Sequence, residues 1–185
     1  GRISFEKNCD VVLDAFSLIR RSMPGATLTI VGDGPALESL RALAVRLGIA
    51  DSVVFTGFVP RAELPDLYPR YDLFLTASTM ETQGLVVLEA IASGLPCVGV
   101  DAYALPELIH HGENGFIARP FDPGEMARMA LDILGDAARY RSFSAGGLRI
   151  ASEHEINRCA NRLEGVYARQ SARAGSRLTR MAVAV

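Results

Sequence analysis

Two glutamates, Glu81 and Glu89, stand eight positions apart with Gly84 between them, and no other short run of the chain gathers as much chemistry. On one continuous helix, residues eight apart lie about 80° round the axis and roughly 12 Å along it. If Glu81 is instead in a loop and the helix starts at Gly84 or Leu85, Glu89 falls about one turn inside it, and the pair brackets the helix N-terminus. Unpaired amides and the positive end of the helix dipole attract an anion there. A phosphate or diphosphate seated on those amides would have a carboxylate on each side, each able to accept hydrogen bonds from hydroxyls. The ribose, two phosphates and sugar of a nucleoside diphosphate sugar have that layout. Spacing alone equally allows one solvent-facing loop glutamate and one on a helix surface.

The elements that must position these residues are legible around them. Residues 72–76 read as a short strand, and an apolar helix pattern runs from Leu85 to a stop at Gly94 and Pro96. Loops after the carboxyl ends of parallel strands are where α/β sheets bind ligands. Arg2 and Lys7, five apart at the end of the first strand, sit in a loop that should project from the same edge. They offer a planar fork and a point charge to a diphosphate, or are simply two solvated cations. Elsewhere, strands are predicted over 26–31, 52–56, 96–100 and 115–118. Helices are predicted over 10–22, from Leu37 to Leu47, over 104–109 and 122–134, with a short helical segment over 61–71 interrupted by Pro65 and Pro69. Residues 136–170 read as one helix and 171–185 as a small-residue tail carrying arginines but no acids. Strands alternating with helices imply right-handed crossovers and an α/β fold with a parallel sheet of about six strands, covered on both faces.

The 185 residues are 49% hydrophobic with a formal charge of −2, which suits one globular domain and points away from nucleic acid as a partner. No run approaches the ~18–20 apolar residues of a transmembrane helix, and none reads as a signal peptide. Cys9, Cys97 and Cys159 lack ligand spacing and read as reduced thiols of a cytosolic protein. Residues 1–4 read as the end of a strand whose beginning lies upstream, so a longer parent protein is expected. Gly32-Asp33-Gly34 follows a strand, but Leu37 stands where a dinucleotide fingerprint needs its third glycine, so a tight turn is the simpler reading. His110-His111 lack acids or cysteines at ligand spacing and read as exposed imidazoles in a turn. Asp101 and Glu107 flank another loop and are expected to cap or brace it.

Six motifs in order resemble the carboxyl-terminal, donor-binding domain of the family 4 retaining glycosyltransferases of GT-B fold: G-R-I-S-F-E-K-N over 1–8, I-V-G-D-G-P over 30–35, F-T-G-F-V-P over 55–60, E-T-Q-G-L-V-V-L-E-A over 81–90, A-S-G-L-P over 92–96 and L-P-E-L-I-H-H-G-E-N-G-F over 105–116. The resemblance implies a Rossmann-like domain over 1–170, one half of a GT-B fold, with 171–185 as a tail or terminal helix. It implies that Arg2 and Lys7 hold the donor diphosphate and that Glu81 is the catalytic glutamate facing the transferred sugar. Gly84, Leu85 and Val86 would supply phosphate-binding amides and Glu89 the ribose contact. Phe58 and Val59 would belong to the nucleobase loop, and Gly32, Asp33 and Gly34 would line the same cleft. It further implies a nucleotide-sugar substrate, a UDP-sugar, with no cofactor and no metal, the cations and helix dipole stabilising the leaving diphosphate. The partner it implies is an amino-terminal acceptor-binding domain expected outside this chain. The acceptor is a saccharide or a membrane glycolipid precursor, reached from the cytoplasm or the inner membrane face, and the isolated domain is expected to be inactive. An epimerase of the same fold and a non-catalytic nucleotide-sugar binding module are the alternatives. Two departures stand out: Thr82-Gln83, where the family often has glycine or serine and then an aromatic, and Tyr103-Ala104, where it often has a Gly-Gly pair. Both forms look similar to those of transferases acting on diacylglycerol-type lipids.

Overall fold

The computed structural model of the chain describes residues 1–175, with side chains to 170. Strands and helices alternate in the expected order. α1 (Cys9–Ser22), β1 (Leu28–Val31), α2 (Leu37–Arg46), β2 (Val53–Gly57), α3 (Leu64–Leu67), β3 (Phe74–Leu75) and α4 (Leu85–Ala92) are followed by β4 (Cys97–Val100), α5 (Leu105–Leu108), β5 (Gly115–Ala118), α6 (Pro123–Leu134), α7 (Ala137–Glu153) and α8 (Ile156–Gly175). All strand pairings are parallel: β1 pairs with β2 from Leu28↔Val53, and β4 lies between β3 (Phe74↔Cys97) and β5 (Cys97↔Gly115). The expected kind of fold is borne out, but among the described residues the strands number five and form two sheets rather than one of about six. Residues 1–4, expected as a strand, contribute a single parallel bridge, Arg2 to Asp33, with Ile3 N–H donating to the Asp33 carbonyl at 2.8 Å.

α1 holds the two sheets together. One of its faces, Val11, Val12, Ala15 and Ile19, joins the larger buried cluster with α4, β4 and α6. Leu13 and Phe16 join the smaller cluster with Ile30, Leu40 and Val53. An amphipathic period of 3.6 with apolar residues on more than one flank makes this possible. Leu13 is fully buried, a transfer worth about 1.5–3 kcal/mol.

The predicted helix over 136–170 is broken at His154 and Glu155. The His154 backbone leaves helical geometry, and the Glu155 carboxylate accepts from the amides of Asn157 (3.1 Å) and Arg158 (3.3 Å), capping a new helix. α8 then runs to Gly175, five residues into the expected tail; residues 176–185 lie outside the described residues. Among the described residues no helix is long and apolar enough to cross a membrane.

Candidate active site

β3 ends at Leu75, α4 begins at Leu85, and the intervening loop is pinned from two sides. The Asn8 amide donates to the Ala77 carbonyl (3.0 Å) and to Thr79 Oγ1 (3.1 Å), while Thr79 N–H reaches the Glu6 carbonyl at 3.4 Å. From the other side, Ala104 N–H donates to the Glu81 carbonyl at 3.0 Å. The Glu81 side chain is then fixed by two donors: Lys7 Nζ at 2.7 Å from Oε2 and the Gly84 amide at 3.2 Å from Oε1. Its side chain is 16% exposed and that of Lys7 33%, so the pair is shielded more than an ordinary surface ion pair.

Gly84 precedes α4 with φ +64°, a left-handed conformation that favours glycine, and a Cβ there would collide with Leu108 Cδ1. Helix geometry leaves the Leu85 and Val86 amides without an intrahelical acceptor. The helix therefore starts where the sequence places it, with Glu81 in the loop and Glu89 inside the helix, and the two carboxylates bracket the N-terminus. Glu89 is 28% exposed at its side chain; its Oε2 accepts from the Tyr68 hydroxyl at 3.1 Å and its Oε1 lies 3.5 Å from Arg61. Burial, and then the Glu89 charge, push the Tyr68 phenol well above its ordinary value, so it remains a donor. Neither Tyr68 nor Arg61 was anticipated, since nothing in local spacing marks a tyrosine between two prolines.

The remaining predicted residues fall along the same edge in a looser arrangement. Gly32 and Gly34 admit the backbone of residues 1–3: a Cβ on either would overlap the Gly1 or Ile3 carbonyl oxygen. Asp33 is exposed and turns its carboxylate back onto the Gly34 amide at 2.7 Å. Gly32 N–H also bonds the Gly57 carbonyl at 3.0 Å, which brings the exposed Phe58 and the half-buried Val59 beside the glycine turn. Arg2 is exposed and makes no ion pair among the described residues; its charge and that of Lys7 both help hold the Glu6 carboxyl low, after the larger effect of the Ser4 hydroxyl. Thus Lys7, Glu81 and Gly84 are in direct contact, whereas Arg2 joins them only through the loop. Asp101 and Glu107, expected to cap, do not: both are exposed, and α5 starts at Ala104 without a side-chain cap. The brace in that region is Asn114, fully buried, which accepts from His110 N–H and donates to the Leu108 carbonyl. Among the described residues no three His, Cys, Asp or Glu are gathered as for a metal.

An ammonium, a clasped carboxylate, helix-start amides and a second carboxylate one turn on can together receive an anion flanked by hydroxyls. Known proteins carry similar sequences and the same fold. The chain is 45% identical over 98 residues to the alpha-monoglucosyldiacylglycerol synthase of Streptococcus pneumoniae, covering 53% of this chain and 22% of that protein. It is 35% identical over 154 residues to the GDP-mannose-dependent alpha-(1-6)-phosphatidylinositol monomannoside mannosyltransferase of Mycobacterium tuberculosis, covering 80% of this chain and 40% of that one. Anabaena Alr3699/HepE, solved in complex with UDP, superposes with a TM-score of 0.81 at 28% identity, over 91% of this chain and 47% of that one. The chain therefore spans less than half the length of each. The family described as glycosyl transferases group 1 matches residues 1–148, and the chain belongs to that family of GT-B glycosyltransferases.

Proposed function

We propose that this chain is the donor half of a retaining glycosyltransferase, binding a UDP-sugar for transfer to a lipid or saccharide acceptor presented by another domain of the intact polypeptide. The observation that carries the reading is the junction of Lys7, Glu81 and the start of α4, with the Lys7 ammonium 2.7 Å from the Glu81 carboxylate beside the Gly84 amide. The diphosphate would sit on the amides of Leu85 and Val86, drawing Lys7, with Arg2 approaching from the exposed side. The sugar would face Glu81, the ribose Glu89, and the base the turn formed by Gly32–Gly34 and Phe58-Val59. UDP is the nucleotide in HepE, whereas the mycobacterial relative takes GDP-mannose, so the base is the point that needs measuring. The two relatives named for glycolipids favour a lipid acceptor, approached from the cytoplasmic face.

In the transfer step the acceptor oxygen bonds to the anomeric carbon as the bond from that carbon to the diphosphate oxygen breaks, on the same face of the sugar. The acceptor proton passes to the departing phosphate. Negative charge grows on the diphosphate, and the Lys7 and Arg2 cations with the α4 dipole oppose it. Glu81, held at both oxygens, is positioned for the sugar hydroxyls rather than for attack. On this account chelators leave transfer unchanged. A thermal-shift panel of UDP, GDP, ADP and their sugars tests the reading: stabilisation by UDP and its sugars above the others supports it, GDP in first place moves the base assignment, and no shift with any nucleotide overturns it.

A further inference from the structure

The two carboxylates of the site are anchored by different chemistry. Glu81 is tied to a cation and to backbone. Glu89 stands on a helix surface, where three side-chain torsions would leave its carboxylate free to swing, and a neutral phenol holds it. The Tyr68 ring is half-buried and set edge-on to Phe74, with centroids 6.3 Å apart at 61°. Its backbone is fixed where α3 passes into a tight turn, the Tyr68 carbonyl accepting from Tyr71 N–H at 3.1 Å. A rigid ring thus delivers one hydroxyl to one oxygen of Glu89. That bond consumes a single lone-pair site and leaves the carboxylate able to accept from two further donors. Arg61 occupies the other oxygen only loosely, at 3.5 Å with its side chain 80% exposed, and solvated contacts of that kind are readily displaced.

We propose that Tyr68 is a positioning residue of the ribose site: its hydroxyl locks Glu89 in the orientation that accepts both hydroxyls of a vicinal diol, which displaces Arg61 from the second oxygen. The inference rests on the assignment of Glu89 to the ribose. A phenol suits the task because it donates without neutralising the carboxylate, whereas a lysine or arginine there would compete with the diol for charge-assisted bonds. Tyr68→Phe keeps the packing on Phe74 and removes only the donor.

The test is calorimetry on the intact polypeptide with UDP and 2′,3′-dideoxy-UDP, for wild type, Tyr68→Phe, Glu89→Gln and the double variant. Tyr68→Phe is expected to weaken UDP about tenfold, the effect of removing one hydrogen bond to a charged group, and to leave the dideoxy nucleotide within twofold. The double variant should bind UDP no worse than Glu89→Gln alone, because the phenol acts through that carboxylate. Equal weakening of both nucleotides by Tyr68→Phe would make the tyrosine merely structural and overturn the proposal, as would no weakening of either. If Glu89→Gln itself fails to distinguish the two nucleotides, the ribose assignment fails and takes the proposal with it; selectivity in Glu89→Gln without it in Tyr68→Phe sinks the proposal alone.

Discussion

The half of the molecule built on β3, β4 and β5 holds the larger core, and it carries Glu81, the α4 N-terminus and Glu89. The half built on β1 and β2 holds the smaller cluster around Leu13, Phe16 and Leu40, and it carries the glycine turn and the Phe58-Val59 loop. The carboxylates are set in the better-packed half, and the cation that meets them arrives on the loop of residues 4–8. That loop leaves the smaller half at Ile3 and docks on Ala77 and Thr79 of the larger. The site therefore lies where the halves are joined, by the loop and by α1, which follows the loop immediately and feeds both clusters, with Leu28 of β1 also packed against both. A site split in this way separates fixed groups from movable ones. Glu81 is braced by main chain on either side, while Lys7, one-third exposed, would on the proposed reading trade a carboxylate for a phosphate.

Removing the most rigid member should cost most. In the intact polypeptide Glu81→Gln is expected to reduce transfer by about 10²–10³-fold, the scale of losing one preorganised electrostatic group, with UDP affinity changed by no more than about threefold. Unchanged turnover in a steady-state assay would break the division of labour between the halves.

The join through α1 comes next. Leu13→Ala should destabilise the chain by about 2–5 kcal/mol and still unfold in one transition, with far-ultraviolet dichroism and tyrosine fluorescence coinciding on a urea melt. A biphasic melt would mean that the β1–β2 half unfolds independently and that α1 is not the common element.

Lys7→Ala tests the movable partner. By calorimetry UDP should weaken by about tenfold and uridine hardly at all, since a cation serving the diphosphate has little to gain from the nucleoside. Equal losses would place Lys7 in the architecture of Glu81 alone.

The smallest effect is expected at Tyr103. This exposed residue is held at φ +47°, beside the Ala104 amide that bonds the Glu81 carbonyl. Left-handed backbone costs a bulky residue about 1–2 kcal/mol, partly offset by the entropy of a new glycine. Tyr103→Gly should raise stability by about 0.5–1 kcal/mol, read as a Tm increase of roughly 1–4 °C; a lower Tm would show that the Tyr103 side chain braces the Glu81 loop.

That residue also illustrates what could be read from the chain. The family's frequent Gly-Gly at this place suits the left-handed turn observed, so the departure at Tyr103 marks a position of strain, and its type alone could flag it. Gly84 was legible as the start of a helix, because a glycine there precedes an apolar helix run, while its positive φ is seen only in the structure. The capping roles expected of Asp101 and Glu107 failed because short carboxylates near a loop are no guide to which amide is free; buried Asn114 braces that loop through bonds to His110 and Leu108. The single helix expected over 136–170 failed for a related reason. The polar run Ser152 to Glu155 interrupts the apolar period, but no proline or glycine marks a stop there, and the side chain of Glu155 folding onto the amides of Asn157 and Arg158 shows the break. Nothing in the structure explains Thr82-Gln83, both of which are exposed.

Element type and element order are properties of a few neighbouring residues, and apolar period, proline and glycine state them openly, whereas Asn8, Tyr103 and Phe121 turn left-handed with no glycine to announce it. The pairing of Lys7 with Glu81 spans 74 positions and that of Tyr68 with Glu89 spans 21. Such contacts depend on how α1 packs between the two clusters and how far the first loop then reaches. Partner choice at long range is set by the relative placement of whole elements, and that is fixed by core packing, which no local pattern records.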